Sequence, residues 1–157
     1  MADRSHIARV TLDERTVVRR NAEIEHERAQ AISDLLHENS FAPVSGAGGP
    51  FHLHLGIEEN RLRFDIRNAA EEALERVVVP LTPFRGIVKD YFMICGSYYS
   101  AVRSANPARV EAIDMGRRAL HNEGSELLRD CLAERVDVDL NTARRLFTLL
   151  CVLHIRG

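Results

Sequence analysis

The sequence has no tryptophan, few aromatic side chains, only three cysteines and no long apolar run. A membrane-spanning helix needs about 20 consecutive apolar residues, and no run approaches that length. The opening segment MADRSHIARV is polar and charged, which argues against a secretory signal. The number of cysteines is odd, and no two of them form a Cys-x-x-Cys motif; they are Cys95, Cys131 and Cys151. Each lies among apolar residues at helical spacing, so we predict buried free thiols in a reducing, cytoplasmic compartment.

An excess of one charge is also lacking. The 21 Lys and Arg residues against 23 Asp and Glu leave a net charge of −2, which gives no general attraction to nucleic acid or to an anionic membrane. We therefore expect neither as a partner. The length of 157 residues is typical of one domain, spanning residues 1–157. The loop Gly46-x-Gly48-Gly49 lacks the lysine of a P-loop and leads into a strand, so we interpret it as a connection.

Alternating apolar residues predict a sheet. A first strand is expected from His6 to Leu12, and a hairpin over residues 51–67 alternates apolar with polar side chains on both of its strands. A third strand is expected from Leu74 to Leu81, at a sheet edge because of Pro80. The residues from Asn68 to Glu75 are ambiguous, because they have helical propensity while the segment from Leu74 looks like a strand; whether they form a turn or a helix stays open. A helix is predicted from Ala22 to Glu38.

The second half of the chain has helical periodicity. The stretch from Thr82 to Arg103 is the most apolar, so we predict a buried helix capped by Thr82, with the other elements packed around it. A long helix should follow from Pro107 to about Ala133, with Gly124 able to kink it. A last helix is expected from about Asn141 to His154. We therefore predict an α+β fold, in which a small, mainly antiparallel sheet with one N-terminal helix is followed by three C-terminal helices packed with it.

One candidate site for chemistry lies on the predicted hairpin. His52 and His54 project from the same face of a strand, and a turn at Glu59-Asn60 would place His54 opposite Asp65 and His52 opposite Arg67. Two imidazoles and a carboxylate could hold zinc or iron. The alternative is a polar sheet face with ordinary side-chain pairing.

A second candidate site consists of arginines at predicted helix starts. Arg85 opens the central helix, while Arg144 and Arg145 open the last one, where the helix dipole disfavours cations unless an anion is near. Together with free N–H groups they could bind phosphate or carboxylate. The alternative is internal pairing with nearby carboxylates such as Asp90 and Asp139.

Several segments resemble one known family. The run PLTPFRGIVKDYFMICGSYYSAVR, the closing NTARRLFTLLCVLHIRG, and the segments HIARVTLDE and FHLHLGIEENRLRFDIR are similar to the uncharacterised protein family zero-two-six-two (UPF0262) of alphaproteobacteria. The resemblance implies a bacterial cytosolic protein and a turn, not a helix, at Asn68 to Glu75. It brings no activity, cofactor or catalytic residue with it.

The residues favour a non-enzymatic, cytosolic binding or regulatory protein that recognises a protein partner or a small anionic ligand. The alternative is a metal-assisted enzyme that uses His52, His54 and Asp65. The cofactor is unknown. The apolar content of the last two helices would also serve a homo-oligomer.

Overall fold

A four-stranded sheet and four α-helices make up most of the chain that the structure describes. The structure is a computed structural model, and it describes residues 5–13, 22–104 and 106–154. In chain order the elements are β1 (Ile7–Leu12), α1 (Ala22–His37), β2 (Phe41–Pro43), β3 (Phe51–Glu58), β4 (Arg61–Arg67), β5 (Ala73–Pro80), α2 (Arg85–Arg103), α3 (Pro107–Leu132), β6 (Val136–Val138) and α4 (Leu140–His154). The predicted α+β class is confirmed.

The main sheet has the strand order β1-β3-β4-β5 and is mixed. β1 pairs with β3 in parallel, whereas β3, β4 and β5 form an antiparallel meander. Glu59 and Asn60 connect β3 to β4 with φ values of 52° and 61°, as a two-residue type I′ turn requires. The predicted register is confirmed, since His54 lies opposite Asp65 and His52 opposite Arg67.

The main sheet has one buried face and one face that is in contact with solvent. Alternate residues of β3, β4 and β5 are fully or almost fully buried against the helices, and these inner-face residues are Leu53, Leu55, Leu62, Phe64, Ile66, Val77 and Val79. The residues between them keep contact with solvent and define what we call the outer face: His52, His54, Arg63, Asp65, Arg67 and Arg76. Strand alternation therefore decides which side chains are available for binding.

The connection between β4 and β5 is a tight turn. The side-chain oxygen of Asn68 accepts hydrogen bonds from the backbone N–H of Ala70 (2.9 Å) and Glu72 (3.0 Å). The backbone N–H of Asn68 also donates to the carbonyl of Glu72 at 3.0 Å. The helical alternative for Asn68 to Glu75 is thus wrong: the chain turns from Asn68 to Glu72, and Ala73 to Glu75 already belong to β5. β5 lies at the sheet edge, as predicted, and runs from Ala73 to Pro80, one residue earlier at each end than the predicted strand.

Two short strands were not predicted. β2 and β6 form a separate antiparallel pair of three residues each. Near this pair, the side chain of Asn39 accepts from the N–H of Ile7 (2.7 Å) and donates to the carbonyl of the same residue (2.9 Å) and to that of Leu35 (2.8 Å). One amide thereby ties the end of α1 to the start of β1.

The most buried helix is α4, and the prediction that α2 is the packing axis is wrong. The apolar residues of α4 from Leu146 to Leu153 are 3% exposed or less. In α2, by contrast, only Val88, Tyr91 and Ala101 are buried, and Met93 is 64% exposed. α2 packs mainly on α3, so most of its apolar surface meets one neighbour instead of several.

The start of the helical stretch also differs from the prediction. Thr82, Pro83 and Phe84 form a 3₁₀ turn that continues into α2, so Thr82 lies within the first turn and does not cap the helix. Its Oγ1 accepts a hydrogen bond from Nδ2 of Asn60 at 3.2 Å instead. Asp139 does cap α4, because its Oδ1 accepts from the N–H of Thr142 at 2.8 Å.

α3 runs without interruption through Gly124, which neither kinks nor breaks it. This glycine is buried, and a Cβ atom built on it would overlap the ring of Phe147 in α4. Gly124 is therefore a point of close helix–helix packing. None of the helices in the described ranges is long and apolar enough to cross a membrane.

The cysteines differ in environment more than the sequence suggests. Cys151 is buried, Cys95 is half-buried and Cys131 is exposed, so the prediction of burial is right for Cys151 and wrong for Cys131. Burial raises the pKa of Cys95 to about 11, so its thiol stays protonated at neutral pH.

Candidate anion-binding site

The outer face carries polar side chains in rows that run across the strands. Residues paired between neighbouring strands project to the same side of a sheet, so the register defines these rows directly. The two rows at the turn end of β4 are Arg9–His52–Arg67 and Thr11–His54–Asp65–Arg76. Cationic and hydrogen-bonding groups from all four strands of the sheet are thereby brought together.

Glu71 reaches onto these rows from the turn between β4 and β5. Its Oε1 lies 3.4 Å from Nδ1 of His52, and its Oε2 lies 3.2 Å from Nε2 of His54. Nη1 of Arg67 is 3.9 Å from Oε2. We call the set of His52, His54 and Arg67 the carboxylate site, because these side chains surround the carboxylate of Glu71.

The electrostatics of the site favour the ionised form of Glu71. The hydrogen bond with His54 is the largest cause that lowers the pKa of Glu71, and the proximity of His52 acts in the same direction. Partial desolvation opposes them. The side chain of Glu71 is 37% exposed and those of His52 and His54 are 16% and 23% exposed, so the carboxylate sits at the mouth of a half-buried site.

Asp65 does not join the histidines, which corrects the predicted set of metal ligands. Its Oδ2 lies 2.8 Å from Nε of Arg63, and its Oδ1 accepts from Nε of Arg76 at 2.8 Å. Arg63 lies across the sheet over Gly56, where a Cβ atom would be 2.7 Å from its Nη2. Two arginines thus hold Asp65 in place. Within the described part of the chain, no group of three His, Cys, Asp or Glu side chains is arranged to hold a metal ion.

The three arginines of the other predicted site have different surroundings. Nε of Arg145 lies 3.9 Å from Oδ2 of Asp34, beside a cavity of about 160 Å³ that Asp139 also lines. Neither Arg85 nor Arg144 lines this cavity. Nε of Arg144 is buried without a hydrogen-bond partner, while Arg85 is exposed at the start of α2.

His121 lies in a buried polar contact between α3 and α4. The hydroxyl of Thr148 donates to the carbonyl of Arg144 (3.2 Å), so Nε2–H of His121 donates to Oγ1 of Thr148 (2.8 Å). Burial, followed by the positive charges of neighbouring arginines led by Arg144, lowers the pKa of His121 to about 4. This imidazole is neutral at pH 7 and joins two helices.

Sequence reasoning missed Glu71, although it found both histidines and their opposite residues. The available signal was the turn: if Asn68 to Glu72 reverses the chain, its two adjacent glutamates lie at the end of the sheet that carries His52 and Arg67. The φ of Glu71 is 63°, a conformation that side-chain-bearing residues other than Asn and Asp seldom adopt, and periodicity does not predict it.

Comparisons with known proteins agree on one family. The model of Uncharacterised protein family (UPF0262) matches residues 4–156. A UPF0262 protein of Rhodospirillum rubrum is 59% identical over 157 residues, which are 100% of this chain and 97% of that protein. One of Paramagnetospirillum magneticum is 57% identical over the full length of both chains, and one of Rhizobium leguminosarum is 56% identical over 94% of each. No solved structure matches. The resemblance seen in the sequence is therefore confirmed, and the chain belongs to the family UPF0262.

Proposed function

We propose that this protein is a non-enzymatic, cytosolic binding protein that takes a small anionic ligand at the carboxylate site on the outer face of its sheet. One observation carries the proposal: His52, His54 and Arg67 already surround a carboxylate, that of Glu71. Side chains from two neighbouring strands converge on that one group, and the sheet fixes their spacing.

The chemistry of the site suits an oxyanion. Arg67 supplies a permanent positive charge, and each imidazole supplies an N–H donor even when it is neutral. Arg9 lies opposite His52 in the neighbouring strand and adds a second positive charge to the same row. Carboxylate and phosphate groups share the chemistry that such donors recognise, and the half-buried position strengthens the attraction relative to water.

Thermal unfolding with added anions tests the proposal. Citrate and inorganic phosphate are titrated separately at constant ionic strength, so that general screening stays fixed. We expect at least one of them to raise the melting temperature, because a ligand that binds only the folded state stabilises it. Arg67→Ala should abolish the rise.

Arg85→Ala is the matched control, because it removes an exposed arginine that the sequence also indicated as anion-binding. It should leave the rise unchanged. If Arg85→Ala abolishes the rise and Arg67→Ala does not, the site is wrongly located. If neither anion stabilises the wild-type protein, the proposed function itself is wrong.

A protein partner is a second candidate, favoured by the exposed apolar side chains of the adjacent helices α2 and α3. Met93, Val102 and Met115 are 64%, 49% and 67% exposed. If the partner is a second copy of this chain, we expect Met93→Glu to weaken self-association, measured by light scattering over a concentration series. Val44→Glu is the control, because it changes an equally exposed apolar side chain outside α2 and α3, and it should leave self-association unchanged. A monomer at every concentration would exclude a second copy as the partner.

A further inference from the structure

We infer that Glu71 is a built-in competitor: the carboxylate site holds either Glu71 or a carboxylate of the ligand, and binding requires Glu71 to leave. The inference rests on the proposed function, because it concerns the same site. It adds the ligand class, a small carboxylate, and a form of self-regulation in which the chain occupies its own binding site.

The contacts of Glu71 are suited to exchange. Charge-assisted N–H···O hydrogen bonds are typically about 2.7–2.9 Å long. The distances from the two carboxylate oxygens to His52 and His54 are 3.4 Å and 3.2 Å, and the distance to Arg67 is 3.9 Å. The oxygens are thus within reach of all three side chains without optimal contact to any of them. A free carboxylate, without a tether to the turn, can approach more closely.

Only the side chain of Glu71 has to move. The backbone of the turn is held by Asn68, whose side chain accepts from two N–H groups and whose carbonyl accepts from the N–H of Glu71 at 2.9 Å. The side chain is 37% exposed, so rotation about its own bonds carries the carboxylate into water. The histidines and Arg67 lie on β3 and β4, and they stay in place when Glu71 leaves.

The position of Glu71 in the turn supports a role for its side chain. With φ at 63°, the residue adopts a left-handed conformation that favours Gly or Asn. A glutamate in this conformation places its carboxylate over β3, within 3.4 Å of His52 and 3.2 Å of His54. The same carboxylate repels any anion that approaches the site while Glu71 remains there.

Isothermal titration of citrate into the wild-type protein, Glu71→Gln and Glu72→Gln tests the inference. Glu72→Gln is the matched control, because it removes the same charge from the next residue, which contacts Asn68 and not the histidines. An exposed ion pair that closes the site lowers the apparent affinity for a competing ligand by about two- to fivefold, so Glu71→Gln should bind citrate about two- to fivefold more tightly than the wild type. Glu72→Gln should bind like the wild type, and Glu71→Gln combined with His54→Ala should not bind.

Other results would overturn the inference. Equal citrate affinity of the wild type and Glu71→Gln would show that Glu71 does not compete, while the proposed function would stand. If neither citrate nor inorganic phosphate, titrated separately, binds to either protein, both the inference and the proposed function are wrong. If Glu72→Gln binds citrate as much more tightly as Glu71→Gln does, the gain in affinity comes from the lower net negative charge and not from the site. If Glu71→Gln binds inorganic phosphate more tightly but citrate no more tightly than the wild type, the ligand is not a carboxylate. Stoichiometric Zn²⁺ binding that is lost in Glu71→Gln would assign these residues to a metal.

Discussion

Replacement of Gly124 by alanine tests the packing of α3 on α4. A built Cβ atom would lie 2.8 Å from Cε2 of Phe147 and would overlap Cε1 and Cζ. The ring cannot turn away freely, because Phe147 is fully buried and its ring centroid lies 5.3 Å from that of His121 and 6.1 Å from that of Tyr91. The new methyl group therefore has to displace a close-packed aromatic cluster.

Two opposing effects determine how much Gly124→Ala changes the free energy of unfolding. Alanine is favoured over glycine in a helix by about 1 kcal/mol. Overpacking of a core costs typically about 1–3 kcal/mol, and the enclosed ring argues for the upper end or beyond. We therefore expect Gly124→Ala to lower the free energy of unfolding by about 2 kcal/mol, which corresponds to a melting temperature lower by roughly 4–8 °C for a chain of this size.

The assay is urea and thermal unfolding followed by far-ultraviolet circular dichroism. Gly96→Ala in α2 is the control, because a Cβ atom there meets nothing within 4 Å and the substitution should be stabilising. Combining Gly124→Ala with Phe147→Leu should recover part of the loss, since the two positions are in contact. If Gly124→Ala stabilises the protein as Gly96→Ala does, the close approach of α3 and α4 is refuted.

Two further predictions concern titratable groups. The pKa of His121 is about 4 in the fold and about 6.5 when unfolded, so the unfolded state binds more protons between these values and stability falls as pH drops from 6.5 towards 4. The loss at pH 5 should be about 2 kcal/mol by urea unfolding and should be absent in His121→Gln; an equal pH dependence of the variant would contradict the assignment. Alkylation of the native protein, read by mass spectrometry, should modify Cys131 first, Cys95 more slowly and Cys151 only after unfolding. Early modification of Cys151 would show that α4 is accessible.

The sequence predicted the sheet well because strand alternation is a local signal. Each strand of the hairpin has one apolar face, and the turn at Glu59-Asn60 then sets the register that pairs His54 with Asp65. Pro80 fixed β5 at an edge, since proline cannot donate to a neighbouring strand. These features depend on residues close together in the chain.

The errors concern how elements pack on one another. α2 is rich in apolar residues, but composition does not reveal whether that apolar surface meets several neighbouring elements or mainly α3. Gly124 was interpreted by its helix propensity, although its contact is with a residue of another helix, Phe147. β2 and β6 are too short for periodicity to be visible.

The sequence predicted the histidines of the candidate site but not the carboxylate that they contact. His52 and His54 follow from the strand period, and their shared face was predicted correctly. Whether Asp65 or Glu71 contacts the histidines depends on which carboxylate the neighbouring arginines bind. Arg63 and Arg76 hold Asp65, and that pairing is set by side-chain reach across strands, which the alternation of residues does not specify.

The parallel pairing of β1 with β3 has a consequence for the order of folding. β3, β4 and β5 are joined by tight turns, so the meander closes short loops only, whereas Ile7 reaches Phe51 after the whole of α1 and β2. Closing the longer loop costs more chain entropy before any contact forms. We expect β1 to join the sheet last, with the amide of Asn39 locking the strand edge once the rest of the core has assembled.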